Sequence, residues 1–220
     1  GVESDPKAYI VRETADRLSP TAYADYPNPD AVPVTFFLTR GAPGAGSLVT
    51  EKVAAQGKET LVDNVSFTGS MLAQAEYTNH RLLYLTPVLT EPVHISGVTT
   101  VKVRAASDKP AVNLSVWMVA LPWSDGRTAK ITDNIITRGW ADLQNHKSLT
   151  ESAPLVPGKL YEMTFELEPD DQIIPAGKQI GLMIFSSDKE FTLHPMPGTE
   201  LTIDLDGTEL TIPVVGGKIR

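Results

Sequence analysis

Residues 160–168 carry the clearest alternation of apolar and polar side chains in the chain. The segment reads LYEMTFELE, so apolar residues occupy every second position and Glu or Thr the positions between them. Because successive side chains of a strand point to opposite faces, this pattern predicts a half-buried β-strand. Its apolar face is formed by Tyr161, Met163, Phe165 and Leu167.

Two other segments are apolar almost without a break. Residues 180–185 read IGLMIF, and residues 112–121 read VNLSVWMVAL. A strand with apolar side chains on both faces is typical of the interior of a fold, where both faces are covered. We therefore expect a buried strand at 180–185 and a central strand, covered on both sides, at 112–121.

Short strand-like segments separated by turn residues make up most of the remaining chain. Pro87 interrupts the segment 81–90, and since proline cannot donate to a strand ladder, this segment is predicted as an edge strand or a strand with a bulge. Asp206-Gly207 predicts a two-residue hairpin turn. Residues 61–75 are ambiguous: Val62, Val65 and Phe67 are typical of a strand, and residues 70–76 are compatible with a short helical turn. Further strands are predicted at residues 8–11, 34–39, 47–53, 93–106, 130–137, 191–194, 201–205 and 208–214.

Taken together, the pattern predicts an all-β protein. It gives roughly nine to twelve short strands and no long helix, as expected of an antiparallel β-sandwich. The 17 prolines and 16 glycines are spread along the sequence, which agrees with many strands joined by turns. We expect residues 31–220 to form one sandwich domain.

Residues 1–30 are polar, rich in proline and predicted to form an arm outside the sandwich. Tyr9, Tyr23 and Tyr26 lie among these prolines. These tyrosines and prolines make the arm too apolar for a free tail, and it is too irregular to form a core of its own. It is therefore predicted to cover part of a docking face, with Tyr23 and Tyr26 as interface candidates.

Charge and composition exclude several classes of partner. The formal net charge is −8, and the 19 Lys and Arg residues form no basic stripe of the kind that binds nucleic acid. No apolar run reaches the roughly 18 residues of a membrane-spanning helix. The chain has no cysteine, and its first residues lack the basic and apolar segments of a signal peptide. We expect no nucleic-acid partner and no membrane span.

The sequence contains no motif from which a catalytic or ligand-binding residue is predicted. The glycine-rich segment 41–47 lacks the Gly-Lys-Ser/Thr ending of a phosphate-binding loop, and Ser47 and Ser70 lack the Gly-x-Ser-x-Gly context of a nucleophilic serine. Asp170 and Asp171 are expected to be solvated carboxylates of a turn, with calcium binding as the less favoured alternative. No metal or cofactor is expected from the histidines, which are dispersed as surface or loop residues: His80, His94, His146 and His194.

A resemblance to a known family rests on four segments. They are LLYLTPVLTEPVHISG at 82–97, RGWADLQNHKSL at 138–149, LVPGKLYEMTFELEPDDQIIPAGKQIGLMIFSSD at 155–188, and TELTIDLDGTELTIPVVGG at 199–217. These segments closely resemble the C-terminal, non-catalytic jelly-roll domain of Xaa-Pro dipeptidyl-peptidases. The domain found in cocaine esterase and the α-amino-acid ester hydrolases is a more distant match.

The resemblance implies a galactose-binding-domain-like jelly roll that packs on an upstream α/β-hydrolase domain of the same polypeptide. The parent would be a serine exopeptidase or a related acyl hydrolase, with all triad residues upstream and residues 1–30 joining the two domains. This domain would then shape substrate access or support homo-oligomers. Lys178 and Gln179 stand where many relatives have a basic pair led by His, so no role of that His is transferred. The alternative is an independent carbohydrate-binding or other ligand-binding module.

Arg138, Trp140 and Asp142 are the remaining site candidates. The sequence around them is interpreted as a compact loop. In the structural interpretation, the indole is buried and a flanking Arg–Asp ion pair satisfies backbone groups. In the functional interpretation, the loop contacts a neighbouring domain. The structural interpretation is favoured, and the two are compatible.

Overall fold

The computed structural model describes residues 2–12, 19–127, 129–194 and 196–220; the predicted arm therefore includes positions, 1 and 13–18, that lie outside the described residues. The described residues form fifteen strands, one short α-helix and four 3₁₀ turns. The helix α1 is Gly69–Gln74, and the 3₁₀ turns are Val2–Ser4, Ile131–Asp133, Leu143–Asn145 and Leu205–Gly207. The strands are β1 Ala8–Ile10, β2 Thr21–Tyr23, β3 Ala31–Thr39, β4 Gly46–Val49, β5 Lys58–Val62, β6 Leu82–Leu85, β7 Val93–Gly97, β8 Thr100–Ser107, β9 Asn113–Leu121, β10 Ile135–Asp142, β11 Tyr161–Glu166, β12 Asp170–Ile174, β13 Gln179–Phe185, β14 Glu200–Asp204 and β15 Glu209–Val215.

Thirteen of these strands belong to one continuous sheet that folds into a sandwich. The main path runs β10-β9-β13-β6-β4-β3-β15-β8-β14-β5, with β11 on β8 and the pair β7–β12 beside β15. Every pairing in the described part of the chain is antiparallel except that of β4 with β6. The antiparallel sandwich predicted from the alternating pattern is confirmed. The jelly-roll connectivity implied by the resemblance stays a prediction.

The main core lies between the two halves of this sheet. Apolar side chains from β6, β9 and β13 pack in the same buried cluster as those from β8, β14 and β15. The predicted alternation of residues 160–168 is confirmed, because Tyr161, Met163 and Leu167 are buried and Phe165 is half-buried against the core, whereas the Glu and Thr residues between them are exposed.

A second, smaller core lies on the outer face of β6, β9 and β13, where α1 covers it. Leu72 and Ala73 of the helix pack there with Trp117, Met183 and Phe185. The side chain of Thr68 begins α1 by accepting a hydrogen bond from the Met71 N–H, in the usual manner of a helix N-cap. The predicted helical turn and the predicted burial of both faces of 112–121 are therefore confirmed.

One turn prediction and one prediction of an edge or bulged strand are wrong. β14 and β15 both pair with β8 and lie on opposite sides of it, so Asp206-Gly207 is not a hairpin turn but part of a 3₁₀ turn. β6 ends at Leu85, before Pro87, and lies between β13 and β4, so it is neither an edge strand nor a strand containing the proline. Both errors concern which strands become neighbours, and residue type alone does not decide this.

Candidate functional site

Arg138 and Trp140 lie on strand β10, so the compact loop predicted for them from the sequence is wrong. They project from the same face, because they are two positions apart in a strand. The Arg138 guanidinium lies 4.5 Å from the ring centre of Phe191, 5.4 Å from that of Trp117 and 5.7 Å from that of Trp140. The Trp140 and Phe191 rings stack with centres 5.3 Å apart. We call these four side chains the Trp140 cluster.

Asp188 fixes the two indoles of this cluster. Its Oδ2 atom accepts a hydrogen bond from Nε1 of Trp117 at 2.9 Å and from Nε1 of Trp140 at 3.0 Å. The residue is fully buried, and its main-chain oxygen also accepts hydrogen bonds from the N–H groups of Phe191 and Thr192. Asp188 thereby holds two strands through its carboxylate and the loop that carries Phe191 through its main chain, which makes the cluster a preorganised surface feature.

The predicted ion pair between Arg138 and Asp142 is wrong. Four residues of extended strand separate the two Cα atoms by about 13 Å, which is too far for direct contact. Asp142 instead accepts a hydrogen bond from the N–H of Gln144 at 2.8 Å and begins the 3₁₀ turn that follows β10. Arg138 forms no ion pair within the described residues and is stabilised by aromatic rings.

The arm is anchored to the sandwich by a second polar cluster. Nε of Arg12 donates to Oδ1 of Asp171 at 2.6 Å, and both side chains are more than nine-tenths buried. Arg12 also donates to the hydroxyl oxygen of Tyr23 and to Oγ1 of Thr21 on β2. Nε2 of His94 lies 3.0 Å from the same Asp171 oxygen. We call Arg12, Tyr23, His94 and Asp171 the arm anchor.

Asp170 and Asp171 are not the solvated turn carboxylates that the sequence suggested. They lie on β12, which pairs with β7, and the arm covers the face on which Asp171 projects. Burial alone would raise the pKa of Asp171, but hydrogen bonds from His94, Ser96 and Arg12 outweigh it and lower the pKa below its usual value. Burial, with the nearby charge of Asp171, raises the pKa of Asp170 to about 6.

Tyr26 also attaches the arm to β12, because its hydroxyl donates to the main-chain oxygen of Asp170 at 3.2 Å. The N–H of Asn28 donates to Oγ of Ser96 on β7 at 2.9 Å. Both predicted interface tyrosines therefore contact the sandwich of their own chain. Tyr23 is buried there, whereas Tyr26 keeps 38% of its surface exposed.

The other candidates for chemistry have internal partners. The Gly41 and Ala42 N–H groups, which a phosphate-binding loop would direct at a ligand, donate to Oε1 of Glu59 at 2.8 and 2.9 Å. His94 is part of the arm anchor, which corrects its assignment to a loop or free surface. No group of three or more metal-binding side chains occurs in the ranges that the structure describes. No helix in those ranges has the length and apolar character needed to cross a membrane.

The family described as X-Pro dipeptidyl-peptidase C-terminal non-catalytic domain matches residues 1–218. The chain belongs to this family. A Rhodopirellula baltica protein named as an Xaa-Pro dipeptidyl-peptidase is 58% identical over 219 residues, which cover 100% of this chain and 35% of that protein. A Bacillus anthracis protein of the same name is 33% identical and is matched over 98% of this chain and 34% of its own length. The chain thus spans about a third of the curated relatives it matches.

Solved structures show the same fold at low sequence identity. An aminopeptidase from a marine sediment archaeon, Thaumarchaeota archaeon, matches 96% of this chain and 41% of its own, with a TM-score of 0.71 and 15% identity. An α-amino acid ester hydrolase matches 82% of this chain and 36% of its own, with a TM-score of 0.61 and 15% identity. The family resemblance inferred from the sequence segments is therefore confirmed.

The sequence identified Arg138, Trp140, Asp142, Tyr23 and Tyr26 as structural or interface candidates; whether any of them binds another domain stays a prediction. It missed the residues that hold these candidates in place, which are Arg12, His94, Asp171, Asp188 and Phe191. A strand assignment at 170–174 would have placed Asp171 on the same face as the exposed Ile173, opposite the buried Gln172 and Ile174, so alternation alone would not have signalled its burial by the arm. No local pattern distinguishes Asp188 from an ordinary loop aspartate.

Proposed function

We propose that this chain is the C-terminal accessory domain of a longer serine hydrolase of the Xaa-Pro dipeptidyl-peptidase type. In this proposal, it packs on an α/β-hydrolase domain that precedes it in the polypeptide and limits which substrates reach the active site, or supports assembly of the enzyme into homo-oligomers. That preceding domain would supply the Ser-His-Asp triad that forms and hydrolyses the acyl-enzyme. The family match and the 35% share of the Rhodopirellula baltica relative support this arrangement.

The observation that carries the proposal is the arm anchor. A flexible linker would leave its charged side chains in water, but the arm buries Arg12 against Asp171 and ties Tyr23 to the same site. Burying two charges is unfavourable unless they are paired and hydrogen-bonded, and here Arg12, Tyr23 and His94 all contact Oδ1 of Asp171, while its Oδ2 has no partner in the described residues. The arm would therefore hold a preceding domain in a defined position on the outer face of β7 and β12.

Five serines of the described residues are buried. Ser96, Ser107, Ser115, Ser186 and Ser187 are all at most 2% exposed, so none of them is accessible to a substrate. The carbohydrate-binding alternative requires an open aromatic platform. The structure does not favour this alternative, because the Trp140 ring is stacked on Phe191 and half-buried.

The test compares variants of the full polypeptide that contains this chain. Arg12→Ala should remove the ion pair with Asp171 and leave that carboxylate buried and unpaired, so the arm should detach. We expect faster hydrogen exchange at residues 19–28 and altered kcat/KM for Xaa-Pro anilides, with the larger change for long peptides. Lys7→Ala is the matched control, because Lys7 forms an exposed ion pair with Asp25 on the same arm.

Two results would contradict this function. One is a full polypeptide with no hydrolase activity on Xaa-Pro anilides, related amides or esters. The other is an unchanged kcat/KM and an unchanged oligomeric state after deletion of residues 31–220, because an accessory domain that shapes access or assembly cannot be removed without effect.

A further inference from the structure

An apolar patch is exposed beside the Trp140 cluster. Leu149 and Leu193 are each 91% exposed, and Phe191 is 51% exposed. Single exposed apolar residues are common on protein surfaces, but a contiguous group of large ones marks an interaction site. We call Trp140, Leu149, Phe191 and Leu193 the Phe191 patch.

The members of the patch are neighbours. Phe191 stacks on Trp140, and Trp140 lines a groove of about 220 Å³ together with Leu149, Met163 and Phe165. The main-chain oxygen of Leu193 accepts a hydrogen bond from Asn113, the residue that pairs with Asp142 at the end of the β9–β10 ladder. The patch therefore covers the end of β10 and both adjacent loops.

The patch rests on a rigid base. Asp188 fixes the Trp140 indole, and Asn113 also donates to Oγ1 of Thr192 at 3.3 Å, between the two exposed residues Phe191 and Leu193. A preorganised aromatic centre with exposed leucines around it loses little side-chain entropy when a partner binds. The patch therefore has the features of an interface anchor. Apolar side chains on an unsupported loop would lack these hydrogen bonds.

The position of the patch indicates which partner covers it. The N–H of Glu168 donates to the main-chain oxygen of Arg138 at 2.7 Å, and the hydroxyl of Tyr26 donates to the main-chain oxygen of Asp170. The chain from 168 to 170, at most about 7 Å long, separates the arm contact at Asp170 from Arg138, which lies two residues before Trp140 on β10. A domain attached through the arm would reach both the arm contact on β12 and the Phe191 patch.

We propose that the Phe191 patch is the face on which the preceding hydrolase domain docks. This inference rests on the proposed function. About two-thirds of the length of the matched relatives lies outside the region that this chain covers, which provides a partner large enough to bury the patch. Arg138 has no ion-pair partner in the described residues, so the docking surface should combine an apolar centre with a carboxylate or carbonyl oxygen facing this guanidinium.

Hydrogen–deuterium exchange on this chain and on the full polypeptide tests the inference. We expect residues 143–153 and 186–194 to exchange about tenfold more slowly in the full polypeptide. The double variant Leu149→Ser and Leu193→Ser should abolish that protection without changing exchange in the isolated chain, since both side chains are exposed there. Tyr77→Ser, which removes a 75% exposed apolar residue from outside the patch, is the matched control and should leave the protection intact.

Equal exchange of the patch in both samples would overturn the inference. A second result would also overturn it: protection of the patch in the isolated chain that increases with concentration, together with a dimer detected by light scattering. The occupant of the patch would then be a second copy of this chain. A full polypeptide that hydrolyses Xaa-Pro anilides and protects the arm, but not the patch, would contradict the docking face alone. Protection of the patch in a polypeptide without hydrolase activity would contradict the proposed function alone.

Discussion

Asp188 is the residue that joins the most distant parts of the Trp140 cluster. Two indole N–H groups donate to one of its oxygens, and the loop bearing Phe191 is bonded to its main chain. Charge-assisted hydrogen bonds of this kind are stronger than neutral ones, and truncating a partner leaves a buried carboxylate short of donors. Truncation of either indole should therefore lower the free energy of unfolding.

Trp140→Ala removes a hydrogen bond to Asp188, the stacking on Phe191 and part of the surface beneath Arg138. Because the indole is half-buried, we expect a loss of about 2–4 kcal/mol in the free energy of unfolding, towards the lower end of the range for large aromatic truncations. Trp140→Phe keeps the ring stacking and should cost about 1 kcal/mol. Urea unfolding measures both changes, and Tyr77→Ala is the exposed control. A loss below about 1 kcal/mol for Trp140→Ala would show that the ring contributes to contacts outside the domain only.

Asp170→Asn should stabilise the protein at neutral and alkaline pH. Burial raises the pKa of Asp170 from 3.8 to about 6, so between these values the folded state holds a proton that the unfolded state has released. Stability therefore falls as pH rises through this window, and the cost is complete above about pH 6. After allowing for partial exposure, we expect Asp170→Asn to be more stable by about 2 kcal/mol at pH 8 and equally stable at pH 4.

Urea unfolding at the two pH values measures this difference. Asp125→Asn, at an exposed position, should show the same stability as the parent chain at both. An Asp170→Asn variant that is less stable at pH 8 would mean that the ionised carboxylate is stabilised by the arm.

At the scale of elements, β9 is the strand on which both cores depend. Its alternate side chains, such as Met118 and Trp117, enter the main core and the smaller core respectively. α1 completes the smaller core by lying directly on the Trp117 ring. This contact is possible only because the first residue of the helix is a glycine.

Gly69→Ala should destabilise the chain although alanine favours helices. A Cβ atom at Gly69 would lie 2.3 Å from Cη2 of Trp117, so the helix or the ring must move. Such overpacking costs about 1–3 kcal/mol, whereas the gain in helix propensity, about 1 kcal/mol in a helix interior, is smaller at this first helical position. Gly44→Ala is the control, since the nearest atom to its Cβ would be 3.5 Å away. Thermal unfolding of both variants measures the difference, and equal melting temperatures would show that α1 shifts without cost.

At the scale of the whole molecule, the chain should hydrolyse nothing by itself. Nucleophilic catalysis requires an accessible serine, a base within hydrogen-bond reach and donors for the oxyanion. The sequence lacks the nucleophile elbow, and the family to which the chain belongs is non-catalytic. We expect no chromophore release from an Xaa-Pro anilide and no labelling by a fluorophosphonate probe. Stoichiometric labelling of one serine would refute this expectation.

The sequence by itself determined the fold class, the positions of most strands and the family. Strand alternation has a period of two residues and depends on local burial, so the pattern of residues 160–168 was sufficient to place β11 and its buried face. The segment 112–121 likewise indicated a strand covered on both sides. The family was carried by extended segments such as RGWADLQNHKSL.

Only the tertiary structure decided which strands are neighbours and which side chains meet. The hairpin predicted at Asp206-Gly207 failed because β8 lies between β14 and β15. The arm anchor joins Arg12 to Asp171 across 159 positions of sequence, and the Trp117–Asp188 bond spans 71. Such contacts depend on long-range pairing and on the burial of charges by distant segments, and neither leaves a local pattern in the amino-acid sequence.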